Sequence, residues 1–118
     1  MNFYERLKSL REERGYTQEK LAAVIHVTKN SVSHYERNIS LPTIDVLISL
    51  ADIFDVSLDY LLGRTDYNIS DRILKKQLAN KMSVGKFVEK VANLDTTHKL
   101  DILKALYYIE ADNKRTKN

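Results

Sequence analysis

The segment TQEKLAAVIHVTKNSVSHYER, residues 17–37, decides how the rest of this chain is read. Thr17 stands where a side-chain oxygen can accept from a main-chain N–H of the first helical turn, so it caps a helix. Lys20 occupies the place where a full capping box would put Glu. Leu21, Val24 and Ile25 follow at helical spacing, and Ala22 and Ala23 permit close approach. The pattern breaks at His26-Val27, and Thr28 is placed to cap a second helix. That second helix has only Val32 and Tyr35 as an apolar stripe. Lys29, Asn30, Ser31, Ser33 and His34 leave the rest of it polar and nearly uncharged. So little apolar surface marks a helix that is either marginal or turned toward something polar. Amide, hydroxyl and imidazole groups on such a face match the donor and acceptor patterns that base edges present in the DNA major groove.

The bulk properties narrow the alternatives. A chain of 118 residues makes one compact domain, or one small domain with an appendage. It buries a core but leaves no room for a spacious enzyme cleft. It has no cysteine, which removes disulfide frameworks and thiolate metal sites. No apolar run approaches the ~20 residues of a membrane span. The N-terminal MNFYERLKSL is too charged for a signal peptide, so a cytoplasmic protein is expected. His26, His34 and His98 lack metal-ligand spacing. There is no Gly-rich phosphate loop and no nucleophile elbow. Neither an enzyme nor a metal or other cofactor is therefore expected. The net charge of +3 conceals an asymmetry: residues 1–63 hold seven Lys/Arg against nine Asp/Glu, and residues 64–118 hold twelve against seven. The half that carries the polar helix is slightly acidic, so any affinity for DNA must come from local placement of Lys29, Arg37 and main-chain amides.

Working outward, Phe3, Leu7 and Leu10 predict a first helix over residues 3–14, stopped by Gly15. NISLPT, residues 38–43, is the loop after the polar helix. Pro42 ends any helical continuation, and Thr43 caps the next helix. Ile44, Leu47, Ile48, Ala51 and Phe54 give that fourth helix a broad apolar face. Ser57 caps a short fifth helix carrying Leu58, Leu61 and Leu62, closed by Gly63. Residues 64–69 read as a polar linker. Ser70 or Asp71 starts a helix expected to run to about Met82, with Ile73, Leu74 and Leu78 apolar. Ser83 caps another, with Val84, Phe87, Val88 and Val91 on one face. Thr96 or Thr97 precedes the last helix, where Leu100, Leu103, Leu106, Tyr107 and Glu110 form a stripe and Ile102 and Ile109 lie off it. Apolar residues on more than one side imply a helix gripped from two directions, once within the chain and once by a second copy. The closing ADNKRTKN is expected to fray.

Residues 3–63 resemble the lambda-repressor-like helix-turn-helix domain, of the Cro and phage-repressor (Xre) type. The resemblance rests on LKSLREERGYTQEKLA (7–22), on V-T-x-x-S-V-S-x-Y-E-R (27–37), on L-P-T (41–43) and on LADIFDVSLDYLLG (50–63). One departure is His26, where the family usually has Gly. At positive φ it would cost up to ~1–2 kcal/mol relative to Gly, although His tolerates that region better than most residues. The resemblance implies an all-α five-helix DNA-binding domain over 1–63; beyond the linker, apolar spacing makes 70–118 a helical segment whose length suits dimerisation or regulation. The resemblance also implies a transcriptional regulator, a repressor, bound to double-stranded DNA as a homodimer on an inverted repeat, with recognition helices ~34 Å apart in successive major grooves.

Position by position, the resemblance puts Lys29, Asn30, Ser33 and His34 against base edges. Lys29 would donate to guanine and Asn30 would bridge adenine, while His34 would reach a base or a phosphate. Ser31, Arg37 and Asn38 would contact the DNA backbone, and so would Gln18, which would also brace the residue at the head of the recognition helix. From spacing alone Arg11 and Glu36 are two ordinary surface charges; the resemblance makes them a partly buried ion pair. Leu100, Ile102, Leu103, Leu106, Tyr107 and Ile109 are the candidates for dimerisation. A helix-turn-helix domain with a short helical tail also resembles regulators of the SinR type, where the tail pairs with itself or with an antagonist protein. Two other classes compete: a protein-interaction module whose basic tail binds an acidic partner, and a DNA-binding antitoxin.

Overall fold

The computed structural model describes residues 1–116, and within them the chain forms eight α-helices and no extended strand. Two compact units divide between Ile73 and Leu74. The first is built from α1 (Phe3–Glu13), α2 (Gln18–Val24), α3 (Lys29–Glu36), α4 (Ile44–Phe54) and α5 (Leu58–Leu61). Every one of these helices starts on a short polar residue, Asn2, Thr17, Thr28, Thr43 or Ser57, whose side-chain oxygen accepts the N–H three positions on.

The five also end alike. Gly15, His26, Asn38, Asp55 and Gly63 adopt φ of 72°, 58°, 57°, 52° and 77°. The N–H of the following residue then turns back onto the helix, as from Val27 to Ala22 O at 2.9 Å and from Ile39 to His34 O at 2.9 Å. This left-handed closure satisfies carbonyls the helix leaves open and reverses the chain within two residues. Only two of the five are glycine, and His26, Asn38 and Asp55 accept the strain that replaces it. Gly63 has a further reason, since a Cβ there would collide with the Met1 carbonyl.

The core gathers Leu7 and Leu10 from α1, Leu21 and Ala22 from α2, Val32 and Tyr35 from α3, Leu50, Ala51 and Phe54 from α4 and Leu61 from α5. Tyr16 meets Phe54 edge to face at 6.3 Å. Each fully buried Leu or Phe contributes on the order of 1.5–3 kcal/mol. Arg6 is buried as well; its guanidinium stacks 3.8 Å over the Tyr60 ring and fastens α1 to α5.

Several elements differ from the sequence expectation. Of the face expected on α4, Ala51 and Phe54 are core and Leu47 packs against it, joined by Leu50, whereas Ile44 and Ile48 are 74% and 45% exposed. Leu50 and Phe54 are four apart and adjoin Ala51, and that face wins because it meets Leu7, Leu21 and Leu61. On α5, Leu61 alone is buried, with Leu58 and Leu62 left at the surface. Residues 64–73 stay with the first unit: Ser70 is buried, and Arg72 donates twice to Asp55 Oδ2, at 3.0 and 2.7 Å. Hydrogen bonds from Arg72 and Ser70 hold the Asp55 carboxyl below its ordinary pKa.

The helix expected to reach Met82 stops at Lys75 as α6 (Asp71–Lys75). Leu74 and Leu78 are one helical turn apart in sequence, but the helix ends before Leu78 is reached. Asn80 and Lys81 instead turn the chain at φ 60° and 59°, and Gln77 and Ser83 pair as an antiparallel bridge. The second unit continues with α7 (Val84–Ala92), capped by Ser83, and α8 (Thr96–Thr116). The cap of α8 is Asp95, whose carboxylate accepts the His98 N–H at 2.9 Å; Thr96 is already helical. The helix runs through Ala111–Thr116, and Lys117 and Asn118 lie outside the described residues.

The rotated α4 face is testable by denaturant unfolding. Leu50→Ala should cost about 2–5 kcal/mol through cavity formation, while Ile44→Ala should stay within about 0.5 kcal/mol. Equal losses at the two positions would return Ile44 to the core.

Candidate nucleic-acid interface

The site is the outer face of α3 and the corner that leads into it. Thr28 accepts the Ser31 N–H at 3.1 Å, and its hydroxyl also meets the Ser31 hydroxyl at 2.9 Å. That double contact fixes the first turn of α3. His26, at positive φ, sets the angle between α2 and α3. Val32 and Tyr35 then sink into the core, which leaves the opposite face of the same helix outward. On it Lys29 and Asn30 are exposed, and Ser31, Ser33 and His34 are half-buried.

Arg37 lies over the last turn, with its Nε donating to the Ser33 hydroxyl at 3.1 Å. Ser33 is thus tied to a neighbouring cation, while Lys29 and Asn30 project from the first turn. Asn38 is exposed and occupies the left-handed position that ends α3. The sequence reading gave it a backbone-contact role without the turn.

Glu36 anchors the inner end of the helix. Arg11 Nε donates to its Oε2 at 2.6 Å and Arg11 NH2 to its Oε1 at 3.0 Å, a two-pronged ion pair. The side chains are 11% and 3% exposed. Arg11 NH1 donates to Tyr16 O at 2.9 Å, so the same guanidinium also holds the loop between α1 and α2. The Glu36 hydrogen bond raises the Arg11 pKa further above its ordinary value. Gln18 Nε2 donates to Glu36 Oε1 at 3.2 Å. Its amide therefore braces the end of α3, not the head as the resemblance implied. Charge-assisted, two-pronged geometry is the strong form of such a contact.

A second feature lies in the tail unit. Phe87, Val88 and Val91 of α7 face Ile102, Leu103 and Leu106 of α8 across an apolar groove of about 440 Å³. Ile102 joins Leu103 and Leu106 on this side, with Lys99 completing the helical face, instead of lying off the stripe. Leu100, Tyr107 and Ile109 are exposed elsewhere on α8. The α7 residues were read as one apolar face but not as part of an interface; the matching stripes on consecutive amphipathic helices were the available signal. Among the described residues, no group of His, Cys, Asp or Glu is placed to hold a metal ion, and no helix is long and apolar enough to cross a membrane.

Comparison with known proteins agrees with this geometry. A family model described as helix-turn-helix matches residues 7–61. The HTH-type transcriptional regulator ImmR of Bacillus subtilis is 34% identical over 99 residues, covering 81% of this chain and 72% of that protein. The cryptic phage CTXphi transcriptional repressor RstR of Vibrio cholerae is 37% identical over 70 residues, covering 58% of this chain and 62% of that protein. The crystal structure of the P22 c2 repressor in complex with synthetic operator 9T superposes with a TM-score of 0.53 at 26% identity, covering 55% of this chain and 98% of that one.

Arg11→Met should destabilise the first unit by about 3 kcal/mol in chemical denaturation, because it strands a buried Glu36 carboxylate. Adding Glu36→Leu should recover most of that loss. A cost below about 0.5 kcal/mol for the single variant would show that the pair is solvent-screened and not an anchor.

Proposed function

This chain belongs to the helix-turn-helix family of transcriptional regulators, and from that premise we propose that it is a sequence-specific repressor binding an inverted-repeat operator as a homodimer. The observation that carries the reading is the outward polar face of α3, with Lys29 and Asn30 exposed on the first turn of a helix whose other face is core. In this reading Lys29 donates to guanine O6 and N7, and Asn30 bridges adenine N6 and N7. Ser33 and His34 reach bases from the second turn. Gln18, Ser31, Arg37 and Asn38 meet phosphates and set register. The crystallised P22 c2 repressor with operator DNA supports this use of the fold.

In this reading the tail dimerises. The α7–α8 groove is almost wholly apolar, and Leu100, Leu103, Leu106, Tyr107 and Ile109 remain exposed in the single chain. A second copy would cover them and bring two α3 helices onto one face of the duplex, one helical turn apart. A helical antagonist protein with the same apolar spacing would compete for that face and release the DNA.

Mobility shifts with the DNA upstream of the protein's own gene test the reading. Asn30→Ala should lower preference for that DNA over scrambled duplex by about 1–3 kcal/mol, with Lys29→Ala similar. Ending the chain after Ile73 should leave a monomer by mass in solution. Wild-type binding indifferent to sequence would overturn the repressor reading, and a truncated chain that dimerises fully would overturn the role of the tail.

A further inference from the structure

The turn between α6 and α7 carries an oddity that the helix-turn-helix reading does not use. Residues 74–86, LKKQLANKMSVGK, hold four lysines and no acidic residue. Their middle forms a tight ribbon-like turn held by the single Gln77–Ser83 bridge: Leu78 N–H donates to Met82 O at 2.6 Å and Val84 N–H donates to Lys76 O at 2.8 Å. Its base is fixed, because Gly85 brings α7 so near Leu74 that a Cβ would stand 3.2 Å from the Leu74 carbonyl. At the tip, Asn80 and Lys81 both take positive φ, as the two centre positions of the tightest hairpin turns require. Asn suits the first position. The second strongly favours glycine, and a lysine there holds a strained backbone. Strain kept at an exposed tip points to a use for the side chain that causes it.

The charge distribution names the use. Through Ile73 the chain holds nine Lys/Arg against eleven Asp/Glu, and from Leu74 it holds ten against five. A unit of net negative charge presents the reading helix to a polyanion, so the local contacts of Lys29, Arg37 and main-chain amides gain from further cations supplied beyond that unit. In the ribbon, Arg72 just upstream is engaged by Asp55 and Lys86 lies 3.5 Å from Glu89, while Lys76 and Lys81 have no ion-pair partner among the described residues.

We infer that the Lys76–Lys81 ribbon is a second DNA contact, binding backbone phosphates without reading sequence and supplying the affinity that the acidic first unit lacks. The inference rests on the DNA-binding reading of α3 and adds to it a division of labour: α3 discriminates, and the ribbon attracts. The alternative occupant of a basic ribbon is an acidic protein surface, and the experiment separates the two.

The test measures binding of the full chain to mixed-sequence duplex DNA and to the upstream duplex across a salt series, for wild type, Lys76→Gln/Lys81→Gln and Lys81→Gly. Removing two phosphate contacts should flatten the slope of log K against log salt by about 1.8 on both duplexes while leaving the preference between them unchanged. Lys81→Gly should flatten it by about 0.9, with a melting temperature equal to or above wild type, since it relieves the turn as it removes the charge. An unchanged slope in the double variant, with wild-type DNA binding intact, would overturn the ribbon contact and leave an acidic protein as its partner. No wild-type binding to either duplex would overturn the reading of α3 and the ribbon with it. Asn30→Ala, which should lose preference but keep its slope, marks the two failures apart.

Discussion

A helix that reads DNA must satisfy two opposed demands, and the Arg11–Glu36 pair is where this fold meets them. The outer face of α3 has to stay polar and uncovered, which leaves the helix little apolar surface with which to hold itself in place. Val32 and Tyr35 bury its inner side, and the rest of the attachment is electrostatic. Arg11 reaches from α1 to grip both oxygens of Glu36, and its remaining nitrogen takes the Tyr16 carbonyl. One guanidinium therefore fixes the end of α3 relative to α1 and to the loop that launches α2. Gln18 adds a third bond to the same carboxylate. With the end of the helix pinned and its start capped by Thr28, Lys29 and Asn30 project from a rigid base and not from a mobile loop.

Much of this was legible in the sequence because caps and stripes are local. Thr17, Thr28, Thr43, Ser57 and Ser83 cap helices where short-range hydrogen bonding puts them. What periodicity alone could not choose was the edge of the α4 face, since a stripe of Ile44, Leu47, Ile48, Ala51 and Phe54 is as plausible as one of Leu47, Leu50, Ala51 and Phe54. The choice depends on which face Leu7, Leu21 and Leu61 leave open, a tertiary matter. The ends of α3 and α4 fall where the sequence put them, but the way they close was not legible. Asn38 and Asp55 occupy left-handed positions that glycine would have announced. At Lys75 an isolated turn at Asn80-Lys81 overrode an expected helix, and Asn80, which enters the left-handed region readily, was the signal that went unused. In the site, the sequence indicated which side chains α3 would carry; it did not indicate that Arg37 would bind Ser33 or that Gln18 would reach the far end of the helix.

The two units divide the physical work unequally. The first has a buried apolar core and carries a net negative charge; the second has no fully buried residue among those described, an apolar groove and the surplus of lysine. A helical pair with no buried residue of its own gains stability by covering that groove with something else. The same segment that would bring two reading heads together thus also carries the charge that a polyanionic partner attracts.

Chemical probing of guanine N7 tests the central claim most directly, because that atom lies in the major groove where α3 is held to insert. With the full chain bound to its operator, dimethyl sulfate should be excluded from guanines in two patches about one helical turn apart on one face of the duplex. Tight binding that leaves every guanine N7 reactive, or that shields only adenine N3 in the minor groove, would contradict it.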